Sequence, residues 1–319
     1  MKAIRVHEFG SPEVMRLEEV EAPKPGPGET LINIKATGVN PVDTYIRAGI
    51  YGAKKLPFIP GSDAAGVVEA VGENVKRFSP GNRVYTSGTI SGAYAEKALC
   101  KESQAHILPD RITFSQGACL GVPYATAYRA IFQRAKALPG EVILIHGASG
   151  GVGTASVQLA RAAGMKVIAT AGTDKGRALA LKEGAHFVVD HTKPGHMDEV
   201  MRITDNNGAD VIIEFLANVN LAADLKTLAK GGRVVVVGSR GTIEIDPREA
   251  MGRDGSIIGM SLFNAAEKEL YSIHSALTAG LENGTLRPIV GREMPLKDAP
   301  AAHHAILEER AYGKIILIP

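Results

Sequence analysis

Three glycines, Gly147, Gly150 and Gly153, stand at intervals of three directly after the apolar run Val142–Ile145, where the Ala-rich helical pattern of "HGASGGVGTASVQLARAAG" begins. Glycine at such a corner permits a tight turn, lets an anionic diphosphate approach the main chain, and lets the helix press on the strand. The helix N-terminus adds unpaired amides and a positive dipole. Glycines also serve ordinary turns, but the strand-glycine-helix context points to a dinucleotide. The second strand tells which one. It runs through "KVIATAGTDKGRA" and ends at Thr170, Ala171 and Gly172, with no carboxylate to hold ribose hydroxyls. Asp174 opens a helical run and reads as an N-cap. Lys175 and Arg177 follow, and an ammonium or a guanidinium suits a 2′-phosphate. NADPH is therefore expected over NADH, chiefly because the acid is missing.

These residues need a scaffold. Residues 1–120 are rich in Gly and Pro, with short β-branched runs such as "LINIKA", "GVVEAVG" and "NRVYTS", the mark of antiparallel strands and turns. From about Tyr124 strands and helices alternate. Six apolar runs are expected as strands, at 142–145, 166–170, 187–190, 210–215, 233–238 and 256–262, with helices at 153–163, 174–183, 197–204 and 221–229. Near-continuous apolar strands with crossover helices predict an α/β class: a doubly wound, six-stranded parallel (Rossmann) sheet. A later helix (265–279) and a final strand (314–318) have no place in that sheet. The nucleotide domain is thus expected over 124–263, inserted in a mainly antiparallel β domain formed by 1–123 and 264–319.

Composition excludes several classes. The chain has 319 residues, 45% hydrophobic, with a formal charge of +2 and no Lys/Arg cluster longer than a pair. Charge therefore does not indicate nucleic acid. No segment approaches the ~18 consecutive apolar residues of a membrane helix, and the start "MKAIRVHEFG" lacks a signal's apolar core. A cytoplasmic protein with no membrane partner is expected. Its two cysteines, Cys100 and Cys119, offer neither a disulfide framework nor a metal knuckle.

The chain resembles the medium-chain dehydrogenase/reductase superfamily, and within it the zeta-crystallin-type NADPH:quinone oxidoreductases. The likeness spans essentially the whole sequence, carried by "GVNPVDTYIRAG" (38–49), "PGSDAAGVVEAVG" (60–72), "TISGAYAE" (89–96), "GVPYATAYRA" (121–130), "HGASGGVG" (146–153), "TAGT" (170–173), "LANVNL" (216–221) and "VVGSRGTIEIDPR" (236–248). It implies a GroES-like catalytic domain and a Rossmann domain flanking a cleft. It also implies that Asn40, Asp43 and Tyr45, in a loop-like segment, face the nicotinamide. There Tyr45 could stack or donate its O–H to an acceptor oxygen, and Asn40 could donate an amide N–H. A turn-capping Asn and a core Tyr are the alternatives. Ser149, Gly150, Gly151 and Val152 match the diphosphate turn, and Gly172 the end of the second strand. His191 matches a contact after the third strand, and Gly238, Ser239 and Arg240 the close of the fifth. Met260, Ser261 and Leu262 match the end of the sixth, with Thr126 at the domain junction and Lys175 on the ribose phosphate. Phe263 and Lys314 are assigned no role.

Zinc-dependent relatives carry a Cys within the segment that here reads "GVNPVD", a His-Glu pair where this chain has "GSD", and a four-cysteine lobe after the strand ending "RVYTS". The positions here hold Asn40, Ser62 and Asp63, and no lobe. Such donors cannot build a tetrahedral zinc site, and the adjacent His303 and His304 would point to different faces of a helix. Without a Lewis acid, the expected acceptors are quinones, reduced with semiquinone formation, or other activated carbonyls that hold the added charge themselves. An enone or 2-alkenal reductase is the alternative enzyme, and an NADPH-binding structural or RNA-associated protein the alternative of another class. The sixth apolar run, 256–262, left at a sheet edge, predicts a homodimer or homotetramer.

Overall fold

The computed structural model describes residues 1–51 and 55–319, which fall into two compact units. One comprises Met1–Val122 and Thr278–Pro319, the other Pro123–Leu277. The chain thus returns to the first unit at Thr278, later than the expected residue 264. The reason lies in helix Glu267–Glu282, whose first turns are tied into the second unit. Arg129 pairs with the Glu269 carboxylate at 2.9 Å, and the Gln133 side-chain amide donates to the Glu269 carbonyl at 3.1 Å.

The second unit is a six-stranded sheet, parallel throughout, in the spatial order Phe187–Val189, Lys166–Thr170, Val142–Ile145, Ala209–Glu214, Leu228–Val236, Ser256–Gly259. Numbered along this domain, the order is 3-2-1-4-5-6, the doubly wound arrangement whose ligands bind beyond the carboxyl ends of the strands at the switch between first and fourth. Leu144, Ile168, Val189, Ile212, Leu225 and Val234 form its core. The first two strands have the bounds expected from sequence, and the third stops one residue short, at Val189. The fourth is displaced toward the N-terminus by one residue, to Ala209–Glu214. The fifth begins earlier, at Leu228, and the sixth stops at Gly259, so that Met260, Ser261 and Leu262 lie beyond it.

The first unit is a seven-stranded sheet in which Glu29–Gly38 is central, paired antiparallel with Asp63–Val71, Lys97–Lys101 and Lys314–Ile318. Its apolar face buries Ile32, Ile34, Val68 and Val84. The pairing of Ile316 with Gly38 brings the start of the last strand beside residue 40. The Val39 amide donates to Ile315 O at 3.0 Å and fixes that register.

Gly147 adopts φ +51°, a conformation side chains resist, and Gly153 sits where the helix Gly151–Ala162 presses on the turn. A methyl at Gly153 would lie 2.3 Å from Gly147 O and 2.6 Å from Ala148 Cα. Both neighbours are main chain and cannot swing away. Gly153→Ala should therefore cost about 1–3 kcal/mol, seen as a lowered urea midpoint. An unchanged midpoint would show that helix and turn do not press on one another.

Candidate functional site

In the nucleotide unit, the parallel topology lines up the sequence-predicted contacts along one edge. Ser149, Gly150, Gly151 and Val152 follow the first strand, Gly172 the second, His191 the third, Gly238, Ser239 and Arg240 the fifth, and Met260, Ser261 and Leu262 the sixth. Gly150 is the N-cap of the helix, and its amide closes the turn onto Gly147 O at 3.1 Å. The first-turn amides of Gly151 and Val152 have no partner within the helix, so the half-buried turn presents donors and positive dipole to an anion. Thr126 is buried on the helical turn Ala125–Tyr128, against helix Gly151–Ala162, where a surface hydroxyl is the simpler expectation.

The second strand's end departs from the sequence reading in two ways. Thr173, not Asp174, caps helix Asp174–Glu183: its hydroxyl accepts from Gly176 N at 3.0 Å. Arg177 is held by Asp174 and, at 2.9 Å, by Asp190. Its charge is engaged by carboxylates of this chain. Lys175 stays exposed in the first helical turn, and Ala171 confirms that no acid ends the strand.

The catalytic unit differs more. The expected loop around residues 40–45 is a helix, Pro41–Arg47, started by Pro41 with its preset φ. Asn40 is its N-cap residue, and the Asp43 carboxylate accepts from Asn40 N at 2.9 Å. That is half of a capping box. Asp43 is buried and faces inward, where its Oδ2 also accepts from the Tyr94 hydroxyl at 3.3 Å. This places Asp43 at the helix cap, with its carboxyl out of solvent. Asn40 is buried too: its Nδ2 donates to Asp63 Oδ2 at 2.9 Å, and its Oδ1 accepts from the Lys314 ammonium. The amide expected to serve an acceptor is committed inside the protein. Tyr45 alone of the three is partly exposed, its ring 5.8 Å from that of Tyr51.

Lys314 and Asp63 are the residues that sequence reasoning missed. The ammonium lies 3.2 Å from Asp63 Oδ2, and Val122 N donates to Asp63 Oδ1 at 2.8 Å. Burial pushes the Asp63 carboxyl up, while Lys314, Asn40 and Val122 pull against it. Behind them a second chain runs from Arg47 to His303 Nδ1 at 3.2 Å and from His303 Nε2 to the Tyr94 hydroxyl at 3.0 Å. Arginine is always a donor, so Nδ1 accepts, Nε2 carries the proton, and Tyr94 is left to donate to Asp43. Burial and Arg47 push His303 down to about 3, which keeps that tautomer neutral. His304, exposed, bonds Glu13 and Glu308 instead, as two faces of one helix require.

This donor set does not fit zinc. An amide oxygen and a carboxylate already bonded to an ammonium leave neither soft ligands nor an open position. Cys119 and Cys100 are buried, their thiols pushed up to about 12 by burial; Cys119 feels the charges of Lys314 and Asp63, but its thiol bonds Ser115 O and Ile289 O, and that of Cys100 bonds Thr30 O.

Two family models match the chain: one described as an alcohol dehydrogenase GroES-like domain over residues 26–110, and one as a zinc-binding dehydrogenase over residues 151–277. A human protein named quinone oxidoreductase is 50% identical over 321 residues, covering 100% of this chain and 98% of that protein. The structure of Escherichia coli quinone oxidoreductase complexed with NADPH matches with a TM-score of 0.91 at 30% identity, over the whole of both chains. A crystal structure described as an NAD-dependent alcohol dehydrogenase matches with a TM-score of 0.93 at 29% identity, again over both whole chains.

The buried carboxyl of Asp43 makes stability depend on pH. Burial raises it from 3.8 to about 7, so between those values the folded chain holds a proton that the unfolded chain has lost. Its contribution is complete below pH 3.8 and disappears as pH rises through about 7. Asp43→Asn abolishes the titration. Relative to wild type, the variant should gain about 1 kcal/mol per pH unit across that window, measured by urea unfolding. A difference independent of pH would mean that Asp43 is ionised in the fold.

Proposed function

We propose, from the premise that this chain belongs to the quinone oxidoreductase family of medium-chain dehydrogenases/reductases, that it is an NADPH-dependent, zinc-independent quinone reductase. The observation that carries this reading is the Lys314 ammonium bonded to both Asn40 and Asp63. It occupies the donors that a Lewis acid would need. Reduction is then restricted to acceptors that delocalise the incoming charge, as quinones do.

NADPH, when bound, supplies the reducing equivalents; the residues of the chain bind and orient. The Gly147–Val152 turn takes the diphosphate on main-chain amides. Lys175 takes the 2′-phosphate as a point charge, Arg177 being engaged elsewhere. Gly172, His191, Gly238, Ser239, Arg240, Met260, Ser261 and Leu262 complete the edge, and Thr126 supports the turn's helix. Tyr45 offers its hydroxyl and ring to the acceptor, on a helix whose start Asn40, Asp43 and Lys314 hold in place. Nothing in this assignment requires a proton from the protein.

The test is a fluorescence titration with NADPH and NADH beside a turnover assay with o-quinones. Lys175→Ala should weaken NADPH about tenfold, the equivalent of about 1.4 kcal/mol, and leave NADH unchanged. Tighter binding of NADH by the wild type would overturn the cofactor reading. Saturation of an enal without quinone turnover would make the chain an enone reductase.

A homodimer belongs to the same reading, with a tetramer as its further association. Strand Ser256–Gly259 is the sheet's edge, and Ile257 is 43% exposed on it. Arg134 donates to Gly259 O at 3.2 Å, but no proline lies in the strand, so pairing with its copy across a two-fold would satisfy the edge's remaining amides and carbonyls. Light scattering should give twice the single-chain mass, and Ile257→Lys should halve it. A wild-type monomer would refute the assignment. Two buried, unpaired cysteines suit a reducing, cytoplasmic setting, and among the described residues no helix is long and apolar enough to cross a membrane.

A further inference from the structure

Beneath the glycine turn lies a buried polar chain that reaches His191 but otherwise lies outside the assigned contacts. His146, the residue between the first strand and Gly147, directs Nε2 at Asp224 Oδ1, 2.8 Å away, with Glu214 Oε2 at 3.5 Å. Its Nδ1 lies 3.4 Å from the Thr170 hydroxyl. That hydroxyl is shared: it accepts from Gly147 N at 3.3 Å and lies 3.2 Å from His191 Nδ1. His146 is 4% exposed, and Glu214 and Asp224 are 0% exposed. The three come from different elements: Glu214 from strand Ala209–Glu214, Asp224 from helix Ala217–Thr227, and His146 from the end of the first strand. They meet at the switch point of the sheet.

The proton count on Thr170 decides what this chain does. A hydroxyl has one proton and two lone pairs. If His146 carries protons on both nitrogens, its Nδ1–H and the Gly147 N–H fill the two lone pairs, and the hydroxyl proton is directed to His191 Nδ1. If Nδ1 of His146 is bare, it competes with His191 for that single proton. The orientation of His191 and the anchoring of Gly147 are then no longer set together.

We infer that His146 is a positioning residue for the dinucleotide: donating to Asp224 and to Thr170, it fixes the one hydroxyl from which both the Gly147 amide and the His191 ring are held. This rests on the cofactor reading above. The surroundings favour the doubly protonated ring. Burial alone would push His146 down, but the hydrogen bond to Asp224 and the Asp224 charge outweigh it and hold it above the ordinary histidine value. Glu214, pushed up to about 7 by its own burial, holds a proton below that pH. It can donate that proton to Asp224, whose Oδ2 is buried and has no other partner in the structure. One imidazolium, one carboxylate and one neutral acid balance, as a buried cluster must. Raising pH through the histidine's shifted value removes the Nδ1 proton. NADPH binding should weaken over the same interval.

The test measures the dissociation constant and KM for NADPH, and kcat, from pH 6 to 10 in wild type, Thr170→Val, Thr170→Ser and His146→Gln. Thr170→Val keeps the side-chain shape and loses the hydroxyl. It should weaken NADPH about tenfold, with the effect on KM rather than kcat, and flatten the high-pH loss of affinity. Thr170→Ser should restore both, and His146→Gln should lose the pH dependence. A folded Thr170→Val with wild-type affinity and pH profile overturns the inference, as does stoichiometric metal in the wild type that His146→Gln releases. A wild type that gives no NADPH signal at any pH overturns the cofactor reading itself, an outcome distinct from the other two.

Discussion

A charge taken out of water must be met by an opposite charge or by hydrogen bonds that replace its hydration, and the catalytic unit is arranged around one such requirement. Lys314 is 4% exposed and Asp63 0%. Alone, either would cost several kcal/mol. Together, with Asn40 and Val122 N filling the remaining positions, they are tolerated. The consequence is positional. The last strand must pair beside Glu29–Gly38 to deliver the ammonium, and Asn40 must turn its side chain toward it. The helix Pro41–Arg47 must then begin where Asn40 ends. Tyr45 inherits its place from a salt bridge that it does not touch.

The nucleotide unit meets the same requirement differently. Its turn offers an anion main-chain amides, which carry only partial charge, so it needs no buried cation beside it. The titratable groups lie one layer deeper, in His146, Glu214 and Asp224. There low dielectric strengthens each hydrogen bond and makes each unpaired atom costly. A rigid turn can be built from glycine because this layer holds it from below, while Gly153 admits the helix from the side.

How much of this is legible in the sequence depends on range. The strands Val142–Ile145, Lys166–Thr170 and Lys314–Ile318 and the helix Asp174–Glu183 appear with the expected bounds. Each is a periodic run bracketed by glycine, proline or polar residues, and that information is local. The helix Pro41–Arg47 reads as a loop because seven residues are too few for a period to show and its flanks carry turn residues. The cap of helix Asp174–Glu183 differs by one residue, since Thr173 and Asp174 are both competent caps and only geometry separates them. Nothing in the sequence could join Lys314 to Asn40, 274 positions apart. Their contact is a product of strand register. His146, Glu214 and Asp224 are invisible for a related reason: each sits singly in an apolar segment, and only the parallel stacking of first and fourth strands brings them together.

A family model described as a zinc-binding dehydrogenase matches a chain whose donors around Asn40 and Asp63 do not suit zinc. The two facts are compatible, because a scaffold fixes where side chains converge and leaves open which chemistry they perform. An ammonium and a metal ion can occupy comparable positions among buried oxygens, but they are not equivalent once there. A metal with an open coordination position polarises a substrate oxygen directly and stabilises an alkoxide. An ammonium already bonded to Asn40 and Asp63 has only hydrogen bonds to offer and is held by those it makes. It preserves the electrostatic balance on which the fold relies while withholding the polarising step. Substitution at the metal's donor positions therefore narrows the reaction to acceptors with their own means of carrying charge, with the surrounding sheet intact.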